Sequence, residues 1–313
     1  FGQVEADPAA INLDGFEIFN RDQRPFFVEN KNIFDYRFAG NRDNLFFSRR
    51  IGRSPQVYPE TPDGAFVDQP QNTTILGAAK FSGKTKNGWS IGVLESMTSK
   101  EYTEISSNGV TSESLAEPFT NYFVGRVQKD FNEKNTFLGG MFTATNRFLS
   151  PEVSELRKAA YSGGFDFKHQ WKNRAYFMDA NIVMSHVKGS KEAITNTQES
   201  LTHLFNRVDA SHVEVDPNRT SLTGTGGRFA IGKAGGQHIN YEAGYRWVSP
   251  ELELNDIGFL RSADEMIQYL NVRYRTIKPV GIFRDINARF RQFTSFDFEG
   301  NYNRIQYQLN GSA

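Results

Sequence analysis

Residues 81–100 read FSGKTKNGWSIGVLESMTSK. Two short runs flank Lys86-Asn87-Gly88, and Trp89, Ile91 and Val93 alternate with Ser90 and Gly92. Period-two alternation closed by Asn-Gly marks a β-hairpin. Its polar face carries Lys80, Ser82 and Lys84, so one side is apolar and the other ionised. The fold turns on what each side meets: a protein core and water, or lipid and a lumen.

Working outward, the same pattern recurs. The first hairpin pairs Thr74–Lys84 with Gly88–Thr98. The second pairs Phe119–Phe131 with Thr136–Arg147 across Asn132-Glu133-Lys134-Asn135. The third pairs Lys158–His169 with Ala175–Val187 across Trp171-Lys172-Asn173. The fourth pairs Thr220–Lys233 with Gln237–Val248 across Ala234-Gly235-Gly236, and the fifth Met266–Thr276 with Phe283–Thr294. A further strand or two follows in FDFEGNYNRIQYQLN. These strands run about 10–14 residues, against about 5–6 in soluble proteins and about 9–11 for a tilted strand crossing a bilayer. The tight turns alternate with long polar loops at Ser99–Pro118, Phe148–Arg157, Gly189–Arg219 and Ser249–Glu265. Short turns on one rim and long loops on the other are the habit of outer-membrane barrels. A soluble sandwich or propeller remains the alternative, because alternation alone fits one wet face. No repeat of fixed period supports a propeller.

The faces sort by residue type. Ile239, Tyr241, Ala243, Tyr245 and Trp247 share one side, opposite His238, Asn240, Glu242, Gly244 and Arg246. Sorting every strand this way assigns Arg126, Arg228, Arg246, Arg273, Arg275, Arg289 and Arg291 to the polar face, with the acids Asp166, Asp179 and Glu242. A charge turned to lipid costs about 2–4 kcal/mol at the midplane, so these residues are expected to face a lumen. Trp89, Tyr245 and Trp247 lie near strand ends, where interfacial girdles sit. The expected fold is therefore all-β: an antiparallel up-and-down transmembrane β-barrel of at least 10 strands over residues 74–313. Residues 1–73, with FNRDQRPFFVENKNIFDYRF and LFFSRRIGRSPQVYPETPDG, read as an irregular segment with short strands that plugs or lines the lumen.

Composition narrows the classes. The 313 residues carry 36 basic and 36 acidic side chains, which argues against a nucleic-acid partner. No cysteine is present, so a disulfide frame, a thiolate metal site and a cysteine nucleophile are excluded. Mean hydropathy is −0.55, and no apolar run reaches the roughly 18 residues of a membrane helix. Low mean hydropathy is compatible with barrel strands, which alternate. The start, FGQVEADPAA, is not a signal peptide, and the sequence reads as a segment of a longer precursor.

Several stretches also carry a resemblance: FGQVEADPAAINLDGFEIFNRDQRPFFVEN, LFFSRRIGR, ILGAAKFSGKTKNGWSIGVLESMT and VSPELELNDIGFLRSADE. They resemble an uncharacterised family of bacterial envelope proteins, over nearly the whole chain. In that family a carbohydrate-binding module of the family-nine type precedes a large domain of unknown function, and members are often labelled membrane-associated hydrolases. The resemblance implies an outer-membrane barrel for the large domain. The carbohydrate module is not in this sequence, so its sugar binding is not carried over, and the family brings no catalytic residues. The ending Gly311-Ser312-Ala313 departs from the aromatic-ended last strand of a finished barrel, which leaves the strand total open.

Candidate sites are few. His212, Glu214 and Asp216 would share a face in an extended strand, but the segment before Pro217 reads better as a polar loop. Glu251, Glu253, Asn255 and Asp256 are dense enough for Ca²⁺ without EF-hand spacing, and read better as a turn with solvated carboxylates. Arg49, Arg50 and Arg53 suit either a phosphate at the rim or pairing with Glu29 or Asp35, and pairing is the better reading. Gly224, Gly226 and Gly227 lie in a strand, where glycine thins the wall. No HExxH, GxSxG, P-loop or GxGxxG motif supports an enzyme or a cofactor. The expectation is an outer-membrane protein of a Gram-negative bacterium, in contact with lipid, with other envelope proteins and glycan as the further candidate partners. It would pass, dock or present glycans or other anionic solutes. The alternatives are a carbohydrate-active hydrolase and a plugged scaffold subunit.

Overall fold

The computed structural model describes residues 15–39, 43–236 and 238–313. Gln237, the expected start of the fourth return strand, and residues 1–14 and 40–42 of the first segment lie outside them. In chain order the elements are α1 (Pro25–Val28), β1 (Phe66–Asp68), β2 (Ile75–Lys84), β3 (Trp89–Thr98), β4 (Glu101–Ser107), β5 (Val110–Glu117), β6 (Thr120–Phe131), β7 (Thr136–Arg147), β8 (Ala159–Trp171) and β9 (Tyr176–Lys188). They continue with α2 (Lys191–Glu199), β10 (Ser221–Lys233), β11 (Ile239–Val248), β12 (Glu265–Arg275), β13 (Asn287–Phe296) and β14 (Tyr302–Ser312). The chain is all-β and antiparallel.

Eleven strands form one sheet in the order β14-β13-β12-β11-β10-β9-β8-β7-β6-β3-β2, a meander in which chain neighbours pair. A closed barrel is not seen. Strands β2 and β14 end the order without a further partner among the described residues. Two other expectations change. Ser99–Pro118 is not a loop: β4 and β5 pair across Asn108-Gly109, both at positive φ, and join β1 in a separate three-stranded sheet. The fifth return strand begins at Asn287 rather than Phe283, so the connection between β12 and β13 spans 276–286, and the one between β13 and β14 is 297–301. The loop 189–220 holds α2, whose N-cap Ser190 accepts a hydrogen bond from the Ala193 amide.

Period-two alternation gives this sheet two unlike faces. One is covered. Residues 16–39, 43–53 and 249–264 lie on it, and their side chains build the main core with those of the sheet. Phe27, Phe34, Tyr36, Phe38, Leu45 and Ile51 meet Leu94, Tyr122, Val124, Met141, Val183 and Val248, closed by Leu252, Leu254, Ile257 and Leu260. Two close approaches need glycine. A Cβ on Gly224 would stand 2.1 Å from the Leu252 nitrogen, so the 249–264 loop lies directly on β10 there. A Cβ on Gly164 would meet the Tyr36 hydroxyl at 2.6 Å, where that hydroxyl reaches the Phe165 and Ile182 carbonyls at 2.7 and 3.1 Å.

The other face is bare and apolar. Phe165 is 69% exposed, Ile182 50% and Met184 55%. Trp89, Ile91, Val93, Val127, Leu138, Phe142, Phe229, Ile231 and Tyr245 share that face and are exposed too. Its only ionised side chains in the eleven strands are Glu95, Lys129, Lys188 and Lys233, and the three lysines sit at strand ends. That is the reverse of the arrangement water imposes, in which the ionised face is exposed and the apolar one covered.

Candidate functional site

The pairing register puts every strand arginine singled out in the sequence on the covered face. Arg228 stands opposite both Arg246 and Asn181, Arg273 opposite Arg289, and Arg291 opposite Asn271. Arg126 lies opposite Met141, itself a core residue, and Arg275 opposite Asn287. Asp166, Asp179 and Glu242 share the face, because each pairs with a residue already placed there.

Where the N-terminal segment lies, these charges are matched. Arg126 forks onto Asp166 with bonds of 2.6 and 2.7 Å, and its guanidinium sits 5.0 Å from the Tyr36 ring centre. Arg228 donates to Glu242 at 2.8 Å and to the Tyr269 hydroxyl at 3.0 Å, with Asp179 at 3.5 Å. Arg246 donates to the Ala39 carbonyl at 2.8 Å and pairs with Glu265 at 3.2 Å. Lys80 donates to the Glu29 carbonyl at 2.7 Å and to the Phe26 carbonyl. Sheet cations thus grip backbone oxygens of the segment, which satisfies carbonyls that regular structure leaves open. Burial, and then the charge of Asp166, pushes the Tyr36 hydroxyl well above its usual range, so it stays a proton donor.

The rim cluster is held internally, though not by Glu29 or Asp35. Arg50 forks onto Glu17 at 2.8 and 2.6 Å and donates to the Gly258 carbonyl at 3.0 Å. Arg53 donates to the Asn255 carbonyl at 3.3 Å and to Gln56, and burial lowers its pKa to about 10. Arg49 reaches the Arg21 carbonyl at 3.5 Å.

The acidic loop holds arginines rather than lying solvated as expected. Asp256 accepts from Arg147 at 2.6 Å and from Arg157 at 2.8 Å, and both Asp256 and Arg147 are almost fully buried. Glu253 accepts from His203 at 3.0 Å and lies 3.7 Å from Arg157. Burial opposes ionisation of Glu253, but the Arg157 charge and the His203 bond outweigh it and hold the carboxyl at about 2. For Asp256 burial is likewise overcome, by Arg157 and then Arg147, so its carboxyl lies far below the usual range. Asn255 spans its own turn, accepting from the Leu260 amide and donating to the Leu260 carbonyl. Glu251 is half-buried beside them. Sequence reasoning missed Arg147, Arg157 and His203. Arg147 continues the Thr143, Thr145 alternation of β7 and could have been added to the polar face. Its partner lies 109 residues away, which no local pattern signals.

His212 does not join Glu214 and Asp216. It bonds Asp264 at 2.9 Å and faces Glu299 at 3.4 Å, with Asp297 close enough that the three ligand atoms of His212, Asp297 and Glu299 lie within 4.8 Å of one another. Those carboxylates already accept from Ser211, Asn301 and the Glu299 and Asn301 amides, and Arg207 also pairs with Asp264. The cluster therefore ties the 189–220 loop to β12 and to the 297–301 turn. Burial opposes protonation of His212, but the bonds to Asp264 and Glu299 raise its pKa overall. A raised pKa stabilises the fold fully below the ordinary histidine value near 6.5, and the gain is lost as pH rises through the folded value. His212→Gln should therefore lower stability by up to about 1 kcal/mol at about pH 5.5, with the gap closing at about pH 8.5. Urea unfolding at both pH values checks this, and a gap that widens with pH would refute it.

Beyond the segment's reach, the covered face opens. At the end of β11, β12 and β13 that carries the β10–β11 turn, a recess of about 590 Å³ is lined by Asn240, Glu242, Asn271, Arg273, Arg289 and Arg291. Arg273 donates to Asn287 at 2.9 Å. Among the described residues no carboxylate pairs with Arg273, Arg275, Arg289 or Arg291.

Aromatic side chains mark both ends of the bare face. Trp89 lies at the turn end, where Lys129 sits 5.1 Å over its ring and 5.8 Å over Phe131. Trp171 stacks on Tyr176 at 5.8 Å in the next turn but one. At the loop end Tyr245 stacks on Trp247 at 6.2 Å, and Lys188 lies 6.0 Å over Tyr161.

Residues 1–313 match a protein family described as "Domain of unknown function (DUF5916)". No curated protein sequence matches the chain. Among solved structures, the crystal structure of BamA from Haemophilus ducreyi lacking POTRA domains 1-3 is similar with a TM-score of 0.30 and 9% identity, over 80% of this chain and 48% of that one. This chain thus spans about half the length of that neighbour. At that level of similarity the fold assignment rests on the strand pairing itself.

Proposed function

Because the chain belongs to the DUF5916 family, a domain of unknown function, we propose a role from its two faces: the eleven-stranded sheet is wall of an outer-membrane β-barrel whose interior docks or passes anionic solutes. The observation that carries this reading is the inversion of polarity. An apolar face is bare while the ionised face is covered by the chain's own segments. Lipid is the solvent that stabilises such a face, and rim aromatics with lysines over their rings match the bilayer interface. A lipid-spanning sheet leaves no edge open, so in the membrane β2 and β14 pair with each other or with further strands. Residues 16–39 and 43–53 serve as the plug, and the unmatched arginines at the turn end supply attraction for anions. Glycans bearing acidic groups fit this chemistry, as do other anionic solutes, and envelope proteins are the natural neighbours of such a wall.

Vesicle flotation tests the wall. The purified chain, folded in detergent and mixed with phospholipid, should float with the vesicles after dilution and resist extraction at high pH. Its unboiled form should also migrate faster on a denaturing gel than its boiled form. A chain that stays monodisperse in plain buffer and sediments without lipid would sink the proposal.

A further inference from the structure

The recess at the turn end is cationic by construction. Arg273 and Arg289 face one another across β12 and β13, in direct register and on the same face. Arg291 follows two residues on, opposite Asn271 on one side and Gln308 on the other. Directly opposed like charges destabilise a sheet unless something neutralises them. Where the N-terminal segment covers this face the arginines have carboxylates: Asp166 for Arg126, Glu242 for Arg228 and Glu265 for Arg246. Here the single acid of the lining is Glu242, and its Oε1 already accepts from Arg228 and Tyr269. Asn240, Asn271 and Gln308 add neutral donors and acceptors but no charge. The recess, about 590 Å³, falls within the usual size of small-ligand sites.

We infer that Arg273, Arg289 and Arg291 form a binding site for a phosphate dianion, free or carried on a sugar. The inference rests on the barrel reading above and names its solute. A phosphate presents terminal oxygens that guanidinium forks can share, whereas a lone carboxylate would match one fork and leave two charges opposed. The amides of the lining are placed to bond hydroxyl groups of an attached sugar.

Calorimetric titration of the full chain in detergent micelles tests it, with inorganic phosphate, glucose 6-phosphate and glucose as probes. Both phosphate probes should bind and glucose should not. Tighter glucose 6-phosphate would mark a phosphorylated sugar as the source, and tighter inorganic phosphate the free ion. R289Q/R291Q should weaken binding at least about tenfold, since each charge-assisted bond is strong. R289K/R291K, which keep charge but lose the forks, should fall between. K100Q, a charge loss on an exposed residue of the opposite rim, should bind as the parent does. The R289Q/R291Q protein should unfold no earlier than the parent in phosphate-free buffer, because the substitution relieves repulsion. Equal heats with glucose and glucose 6-phosphate, or unchanged affinity in R289Q/R291Q, would overturn the site. Flotation is run on the same preparations. Absence of phosphate binding by parent protein that still floats refutes the site alone, and failure of the parent to float refutes the wall on which it rests.

Discussion

Asp256→Asn should destabilise the protein by about 3–5 kcal/mol, because it strips the shared carboxylate from the fully buried Arg147 and the mostly buried Arg157. Arg147 exposes 1% of its side chain and Asp256 2%, and the two meet at 2.6 Å. Arg157 shares the same carboxylate at 2.8 Å and keeps a reserve, with Glu253 at 3.7 Å and the Thr197 hydroxyl at 3.0 Å. The cost therefore falls chiefly on Arg147. Its remaining bond is to the Arg157 carbonyl at 2.9 Å, which cannot balance a charge. Removing the charge as well should recover part of the loss, so Arg147→Met combined with Asp256→Leu should be more stable than Asp256→Asn alone. The measurement is the urea midpoint in detergent, followed by tryptophan fluorescence. A loss under about 1 kcal/mol in Asp256→Asn would mean that the network is solvated rather than buried.

Ile182→Arg is the second large effect, and its sign separates two solvents. Ile182 sits at the middle of β9 on the bare face and is half exposed. If that face meets lipid, arginine there costs about 2–4 kcal/mol. If it meets water, an exposed surface substitution stays within about 0.5 kcal/mol and improves solubility. Val208→Arg is the control, since Val208 lies fully exposed in the 189–220 loop and should change nothing under either reading. Folding yield into vesicles over a urea series reads both. Equal yields for Ile182→Arg and Val208→Arg would remove the membrane wall.

The sheet was legible because its signal is local. Alternation at Trp89, Ile91 and Val93, or at Ile239 to Trp247, fixes which side chains share a face, whatever the strand pairs with. That is why residues as far apart as Arg126 and Arg291 could be assigned to one face from sequence. The β4–β5 hairpin escaped because its apolar residues do not alternate: Tyr102 and Ile105 point to opposite faces, and Glu104 stands directly across from Glu113. Its Asn108-Gly109 was nonetheless the same signal that marks the β2–β3 turn, and it could have been heeded. Helix α2 was likewise announced by Ser190 ahead of Lys191–Glu199. The acidic loop could not be read, because a carboxylate's partner is set by tertiary placement. Nothing in ELELND says that Arg147 and Arg157 arrive from elsewhere. Closure of the barrel was inferred from loop asymmetry, and that asymmetry holds for an open sheet as well.

The N-terminal segment carries a consequence for the order of assembly. Neighbouring strands of the meander can zip as soon as each hairpin exists, since their contacts are short-range in sequence. The segment's grips are not: Tyr36 waits for carbonyls 129 and 146 residues downstream, and Arg50 for one 208 residues away. The earliest part of this chain to be translated is thus among the last to reach its resting place. Until then its aromatic side chains are ungrouped, and a chaperone acting before the sheet is complete would be shielding this segment rather than the strands.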